Sequence, residues 1–200
     1  MLNRAPAAPV STVVRPTDDT EITRWARLAA RGDQPAFERF LRATQPQVRR
    51  FVAGLTDQQS ADDLTQETYL RALRGLSRFR GESSARTWLL SIARRVAADH
   101  LRSAASRPRL AVLADWQAAA EGAGHTTPVF EDRVALHQLI AGLRPERRDA
   151  FVLTQSLGLS YVDAAAVCGC PVGTIRSRLA RAREDLVTAM AESPPRRRTA

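Results

Sequence analysis

The side chains in this sequence that are best suited to chemistry are hydrogen-bond donors for nucleic acid, gathered on one predicted helix face. About 100° of rotation per residue places two hydroxyls and three arginines on or beside one side of residues 171–190. The opposite, apolar face is predicted to point inward and holds Val172, Ile175, Leu179, Ala182 and Leu186. The polar residues are the candidates for chemistry. They are Thr174, Arg176, Ser177, Arg178 and Arg181. Arginine offers a planar fork of donors that fits guanine edges and phosphate. Because residues 171–183 contain no acid, this face is predicted to contact DNA.

The residues before this face predict a helix-turn-helix. Ser160 is a predicted N-cap, Gly169 supplies a tight turn, and Pro171 suits the first turn of the following helix, where its missing N–H costs nothing. A solvent-exposed amphipathic helix is the alternative. The cap, the glycine turn and the acid-free outer face favour DNA binding.

A set of charged residues with the opposite sign lies in the N-terminal half. Residues 54–67 contain four acids and no basic residue. On the helix predicted over 61–76, Asp63, Leu64 and Glu67 share the outer face. The predicted inner face holds Tyr69, Leu73 and Leu76. An apolar Leu64 among charges is typical of a helix docked on a basic partner, and its packing under the preceding loop is an equally consistent alternative.

Residues 68–102 are basic again, with eight arginines against Glu82 and Asp99. A helix predicted over about 85–102, capped by Ser83 or Ser84, would turn its polar face toward a nucleic-acid backbone. That face and the loop before it hold Arg78, Arg80, Thr87, Ser91, Arg94, Arg95 and Arg102. Phe79 could stack on an unpaired base, or it could plug the edge of the domain.

Composition limits the classes of function. The 200 residues carry a net charge of +9, and all 30 basic residues are arginine. The missing lysine is typical of a GC-rich genome, whereas the excess positive charge indicates a nucleic-acid or acidic partner. No apolar run reaches the length of about 20 residues that spans a membrane, and no signal peptide is predicted, so we expect a cytoplasmic protein. Cys168 and Cys170 are predicted to be structural thiols, and no metal site, cofactor or catalytic nucleophile is predicted.

The elements that position these residues are all predicted to be helical. The expected fold is all-α, with two small helical domains joined by a flexible linker. Pro46 is expected to break a helix, and Ser60 with Asp63 to form a capping box. The predicted parts are a disordered arm over 1–20, a domain over 21–102, a linker over 103–130 with a short helix near 112–120, a domain over 131–190 and a basic tail over 191–200. The second domain has predicted helices near 131–142, 145–157, 160–168 and 171–190.

Three segments carry a resemblance to a known family. They are ADDLTQETYLRAL, SARTWLLSIARRVAADHLR and LSYVDAAAVCGCPVGTIRSRLARARE. Together they resemble the extracytoplasmic-function (group 4) sigma factors of bacterial RNA polymerase, most of all the sigma-C group of actinobacteria. The resemblance implies a sigma-2 domain, a sigma-4 domain with the helix-turn-helix, and promoter-specific transcription initiation without enzymatic activity.

The resemblance also implies partners and roles for particular residues. It implies binding to core RNA polymerase, at the β′ clamp helices and the β flap, and to promoter DNA, with an anti-sigma factor as a further candidate and a monomer when free. Polymerase binding is implied for Asp62, Asp63, Leu64, Gln66 and Glu67. Contact with the −10 element is implied for Arg78, Phe79, Arg80, Ser84, Thr87, Ser91, Arg94 and Arg95. Contact with the −35 element is implied for Thr174, Arg176, Ser177, Arg178 and Arg181.

Two other classes of protein fit less of the sequence. A stand-alone helix-turn-helix regulator would bind DNA by itself, but it leaves the acidic helix without a role. A nuclease would need clustered carboxylates or histidines for a metal, and the adjacent Asp62 and Asp63 point in different directions on a helix.

Overall fold

A computed structural model describes residues 18–106 and 128–192 of the chain. Within those residues the fold is all-α, as predicted, and consists of eight helices. They are α1 (Asp19–Ala29), α2 (Gln34–Leu55), α3 (Ala61–Leu76), α4 (Ala85–Ser106), α5 (Pro128–Ala141), α6 (Pro145–Phe151), α7 (Tyr161–Cys168) and α8 (Val172–Glu192). A π-helical turn over Val152–Ser156 continues α6.

The first four helices form one packed unit. The Asp18 carboxylate accepts a hydrogen bond from the N–H of Thr20 at the start of α1, and Asp33 accepts one from Ala36 at the start of α2. These bonds satisfy helix N–H groups that otherwise lack a partner. The core of the unit is formed by the fully buried Ile22, Phe40, Phe51, Leu89 and Leu90.

Two local predictions for this unit, a helix break and a capping box, are wrong. Helix α2 continues through Pro46, whose side chain is exposed. An interior proline removes a helix hydrogen bond at a cost of about 3 kcal/mol, and burial of Phe40 and Thr44 before it and Val48 after it holds the helix together. The Ser60 capping box is absent because Asp57 takes its place, accepting bonds from the N–H and the hydroxyl of Ser60 at 2.7 and 3.0 Å.

The boundaries between the predicted parts also move. Asp19 and Thr20 are helical rather than part of the arm, α4 runs to Ser106, and α5 already begins at Pro128. Helix α8 extends two residues into the predicted tail. The rest of the predicted arm, linker and tail, including the short helix near 112–120, lies outside the described residues.

The predicted helix-turn-helix is formed by α7 and α8. The hydroxyl of Ser160 accepts a hydrogen bond from the N–H of Asp163 and caps α7. Gly169 ends α7 in the left-handed region at φ 63°, where a side chain would be strained. On α8 the predicted inward residues Ile175, Leu179 and Ala182 are buried.

The two halves of the chain contact each other directly. Arg94 on α4 pairs with Asp149 on α6 at 2.6 Å, and His137 on α5 lies 2.8 Å from the carbonyl oxygen of Ala53 on α2. At Gly54 the backbone approaches so closely that an added Cβ would lie 2.9 Å from Cγ1 of Val152. One continuous core therefore runs through both halves.

Candidate polymerase and nucleic-acid interfaces

The predicted recognition face lies on the exposed side of α8. Arg176, Ser177 and Arg181 are exposed, and Thr174 and Arg178 are half-buried. None of these arginines forms an ion pair with another described residue. Arg178 donates to Sγ of Cys170 at 3.6 Å. The guanidinium groups of Arg176 and Arg181 have no hydrogen-bond partner among the described residues and are available to an external acceptor.

A second arginine surface surrounds the loop before α4. Arg78 and Arg80 are exposed and line a cavity of about 310 Å³ that Phe79 and Trp88 close from the inside. The rings of Phe79 and Trp88 lie 5.0 Å apart and are tilted by 43°. A ring so supported could accept a stacked base on its free side. Arg95 is exposed two turns beyond Trp88 on α4.

Two residues predicted on the outer face of α4 are not on it. Thr87 is only 5% exposed, and its hydroxyl accepts a bond from the Ser84 hydroxyl. Ser84 caps α4, as predicted, by accepting a bond from the N–H of Thr87 at 3.1 Å. Arg94 is turned toward the C-terminal half, where it pairs with the buried Asp149. Contact between the halves thus removes Arg94 from the exposed surface.

The half-buried Ser91 is also engaged within α4. Its hydroxyl donates to the carbonyl oxygen of Trp88 at 2.7 Å. Arg95 donates in turn to the Ser91 carbonyl oxygen at 3.1 Å. Ser91 therefore holds Arg95 along the helix rather than offering a free hydroxyl.

The outer face of α3 differs from the prediction at its apolar residues. Leu64 is 8% exposed and belongs to the core, so its interpretation as an exposed anchor is wrong and the alternative, packing inside the protein, is the one observed. Leu73, predicted to point inward, is 47% exposed, and Leu70 is 51% exposed. The inner face instead includes Thr65 and Thr68, whose hydroxyls donate to carbonyl oxygens of their own helix. Because the hydroxyls of these buried threonines are hydrogen-bonded within α3, the polarity of the sequence does not show that they lie on its inner face.

Ion pairs occupy part of the acidic surface of α3. Arg49 pairs with Asp62 at 2.6 Å, and its hydrogen bond lowers the pKa of that carboxyl. Arg71 contacts Glu67 at 2.7 Å and Asp99 on α4 at 2.6 Å, and lowers the pKa of Asp99 in the same way. Asp63 is exposed and forms no ion pair with any residue in the described ranges.

The two cysteines at the end of α7 are free thiols. Burial raises the pKa of the Cys168 thiol to about 12, which keeps it protonated at neutral pH. In residues 18–106 and 128–192, no group of three or more His, Cys, Asp or Glu side chains could hold a metal ion. None of the helices in these ranges has the length and apolar character of a membrane span.

Comparison with known proteins places both halves in one family. The model of Sigma-70 region 2 matches residues 40–107, and that of Sigma-70, region 4 matches residues 133–186. The chain is 56% identical over 171 residues to the ECF RNA polymerase sigma factor SigC of Mycobacterium tuberculosis, covering 86% of this chain and 92% of that protein. The chain belongs to the extracytoplasmic-function sigma factors. It is a transcription initiation factor and not an enzyme, as the sequence predicted.

Two solved structures, one of them of a sigma factor, share the fold. The structure of CnrH in complex with the cytosolic domain of CnrY matches with a TM-score of 0.68 and 25% identity, over 88% of this chain and 100% of that one. RpoE from Bartonella quintana, in complex with the anti-sigma factor NepR, matches with a TM-score of 0.60 and 27% identity, over 78% of this chain and 98% of that one. The predicted likeness to the sigma-C group of actinobacteria is confirmed by the mycobacterial relative. The stand-alone regulator and the nuclease are thereby set aside.

Proposed function

We propose that this sigma factor binds core RNA polymerase through the exposed face of α3 and promoter DNA through two arginine surfaces, one in each half. The observation that carries the proposal is the separation of surfaces by charge and polarity. The α3 face offers a free carboxylate and exposed leucines, whereas α8 and the loop before α4 offer unpaired arginines. A polymerase contact and two DNA contacts can then be made at the same time.

The polymerase-binding face is assigned to one stripe of α3. Asp63, Gln66, Leu70 and Leu73 recur at spacings of three, four and three residues and are all exposed. Exposed leucines beside a carboxylate fit a partner helix with both apolar and basic residues, and the β′ clamp helices are the proposed partner. Five residues were predicted for this contact. Asp62 and Glu67 form ion pairs and lie at the edge of the proposed surface, and Leu64 is buried and supports α3 from the core.

The −10 element is assigned to the cavity at the loop before α4. Arg78 and Arg80 would hold the phosphates of a melted strand, and an unpaired base would stack on Phe79. Arg95 extends this surface along α4. Thr87, Ser84, Ser91 and Arg94 are given structural roles instead, because their polar groups are engaged within the protein.

The −35 element is assigned to the N-terminal part of α8. A recognition helix contacts base edges in the major groove with the residues near its N-terminus. Arg176 and Arg181 lie there with free guanidinium groups, and Thr174 and Arg178 flank them. The Ser177 hydroxyl donates to the Thr174 carbonyl oxygen at 3.0 Å, so it can accept a bond from DNA but its proton is engaged within α8. The β flap is proposed as a further polymerase contact of the same half.

The remaining proposals follow from the partners. The protein acts where the polymerase is, in the cytoplasm, and is monomeric when free. Because RpoE of Bartonella quintana is bound by the anti-sigma factor NepR, we propose a partner of that class for this chain. The proposed sigma-2 and sigma-4 domains are those predicted over 21–102 and 131–190, with helices α1, α4, α5 and α8 reaching a few residues beyond these bounds.

Co-elution with core RNA polymerase and run-off transcription test the proposal. We expect a stable complex that initiates at one promoter class. The double variant Leu70→Glu/Leu73→Glu should lose core binding but keep its helicity, because both side chains are exposed. The matched variant Val187→Glu/Met190→Glu, on exposed apolar residues of α8, should keep it.

The DNA assignment has its own variant. Arg181→Ala should weaken transcription from templates with a −35 element by about 5- to 150-fold, from about 1–3 kcal/mol for a specific arginine contact at tenfold per 1.4 kcal/mol. It should have little effect on templates without that element. Failure of the free protein to co-elute with core polymerase, together with tight DNA binding on its own, would refute the sigma-factor assignments.

A further inference from the structure

A row of arginines on α1 has no part in the assignments above. Arg24 and Arg27 lie on one face of the helix, and Arg31 follows on the same side in the turn after it. All three are exposed and line an open cleft of about 610 Å³ whose opposite wall is the loop of residues 81–84. Spacings of three and four residues place such side chains in one line along a helix.

The cleft is held in shape by contacts between α1 and the start of α4. The Thr23 hydroxyl accepts a bond from the N–H of Ala85 at 3.0 Å, and Asp19 forms an ion pair with Arg86 at 2.8 Å. Arg27 donates to the carbonyl oxygen of Gly81 at 3.3 Å. Gly81 has φ +73°, and a Cβ there would collide with Nη2 of Arg27. The guanidinium group of Arg27 thus lies directly against the backbone of Gly81, and its hydrogen bond holds the loop in place.

The charge of the cleft is positive. Its two acids are Asp19 and Glu82, and Asp19 is taken by the ion pair with Arg86. Arg24 and Arg31 form no ion pair with another residue in the described part of the chain. With Arg27 engaged by the loop, these two arginines are the groups free to bind an anion.

The cleft adjoins the cavity assigned to the −10 element. Gly81, Glu82 and Ser83 line both, so the same short loop separates the arginine row from the Phe79 cavity. A chain of phosphates leaving the cavity over this loop would meet Arg24 and Arg31 next. Two free arginines in one line fit a chain of phosphates better than a small anion, because a small anion would contact only one of them.

We propose that Arg24 and Arg31 bind the phosphate backbone of the single DNA strand whose base occupies the Phe79 cavity, and that Arg27 positions the loop between the two. This inference rests on the assignment of that cavity to the −10 element. It adds a contact that does not depend on base sequence and that extends the bound strand beyond the captured base.

The test uses holoenzyme assembled from core polymerase and the full chain, with a fork-junction DNA whose single strand carries the −10 element and the nucleotides around it. Binding is measured as a function of salt for wild type and for Arg24→Gln/Arg31→Gln. Loss of two phosphate contacts should lower the slope of log K against log salt by about 1.4, and weaken binding up to about 25-fold at 0.1 M salt, from about 0.7 of slope per single-strand contact.

Matched variants separate this effect from a general loss of charge. Arg39→Gln/Arg42→Gln removes two exposed arginines of α2 that form no described ion pair, and it should keep the wild-type slope. Arg24→Lys/Arg31→Lys keeps the charge and should keep most of the slope. With the flanking single-stranded nucleotides removed, wild type should fall to the level of the glutamine variant.

Two results would overturn the inference, and they are distinguishable. In the first, wild-type holoenzyme prefers the −10 fork over a scrambled fork, but Arg24→Gln/Arg31→Gln has the same salt slope as the control Arg39→Gln/Arg42→Gln. The proposed phosphate contact is then wrong, and the −10 assignment stands. If wild-type holoenzyme does not prefer the −10 fork at all, the −10 assignment fails and the phosphate contact fails with it.

Discussion

Replacing Gly54 with alanine tests the contact between the two halves. Gly54 is the penultimate residue of α2, and the added Cβ would lie 2.9 Å from Cγ1 and 3.3 Å from Cγ2 of Val152. Ordinary contacts between carbon atoms are about 3.5–4.0 Å. Val152 is buried and β-branched, so its side chain has little freedom to turn away. The methyl group therefore acts as a wedge between α2 and the π-helical turn.

Two opposite effects of this substitution have to be weighed. Alanine in place of a helical glycine stabilises the helix by about 0.5–1 kcal/mol. Overpacking a close contact costs about 1–3 kcal/mol. The first effect acts within the N-terminal half, and the second acts only while the halves are docked. We therefore expect Gly54→Ala to lower the docking constant by about 5- to 150-fold, at tenfold per 1.4 kcal/mol, without unfolding either half.

Small-angle scattering and thermal unfolding measure the two effects separately. A single compact globule of this length has a radius of gyration of about 16 Å, and separation of the halves increases that value. Gly75→Ala is the matched control, because Gly75 is the penultimate residue of α3 and its added Cβ would lie 3.5 Å from Trp88, an ordinary contact. That control should be as compact as wild type.

A second substitution, at Val152, tests whether the clash with its side chain causes the loss of docking. In Gly54→Ala/Val152→Ala the two clashing Cγ atoms are gone, so compactness should return, whereas Val152→Ala alone leaves a small void. If Gly54→Ala has the same radius of gyration as wild type at every temperature below unfolding, the wedge argument is refuted. If the double variant stays as expanded as the single one, the clash with Val152 is not the reason.

Two further predictions concern ionisable groups. Arg71 and Arg102 hold the pKa of Asp99 below its usual value, so its contribution to stability is present above pH about 4 and is lost as the pH falls through the lowered pKa. Asp99→Asn should lower the melting temperature at pH 7 and flatten its decline between pH 5 and 2; an unchanged decline would contradict this. The Cys168 thiol, with its pKa raised to about 12, should react with iodoacetamide at pH 8 far more slowly in the folded Cys170→Ser variant than in the same variant unfolded in guanidinium chloride. Equal rates would contradict its burial.

The parts of the fold that the sequence predicts well are those determined by local rules. The helix-turn-helix depends on a serine cap, a left-handed glycine and a 3.6-residue period, and all three lie within the 23 residues from Ser160 to Ala182. Its buried positions Ile175, Leu179 and Ala182 are the predicted ones. The free arginines of α8 follow from the same period, because no other described helix covers them.

Helix α3 shows where the same period is insufficient. Leu64 and Leu73 are both apolar, yet one is buried and the other exposed, and Thr65 and Thr68 take inner positions that a hydrophobicity pattern assigns to solvent. A threonine whose hydroxyl bonds back to its own helix is satisfied without water, so polarity alone does not report its side of the helix. The orientation of α3 was therefore misjudged, although its bounds were predicted correctly.

Contacts between distant parts of the chain explain the misassignment of Arg94. Arg94 and Arg95 are adjacent and chemically identical, and nothing within α4 distinguishes an arginine for DNA from one for an ion pair. The distinction comes from Asp149, 55 residues away, whose burial against α4 leaves a carboxylate that needs a cation. Ion pairs between the two halves thus determine which arginines stay available to DNA. A surface assignment in a two-part protein is complete only when the docked partner half is known, and the same reasoning makes Arg95, rather than Arg94, the residue of α4 to test against the −10 element.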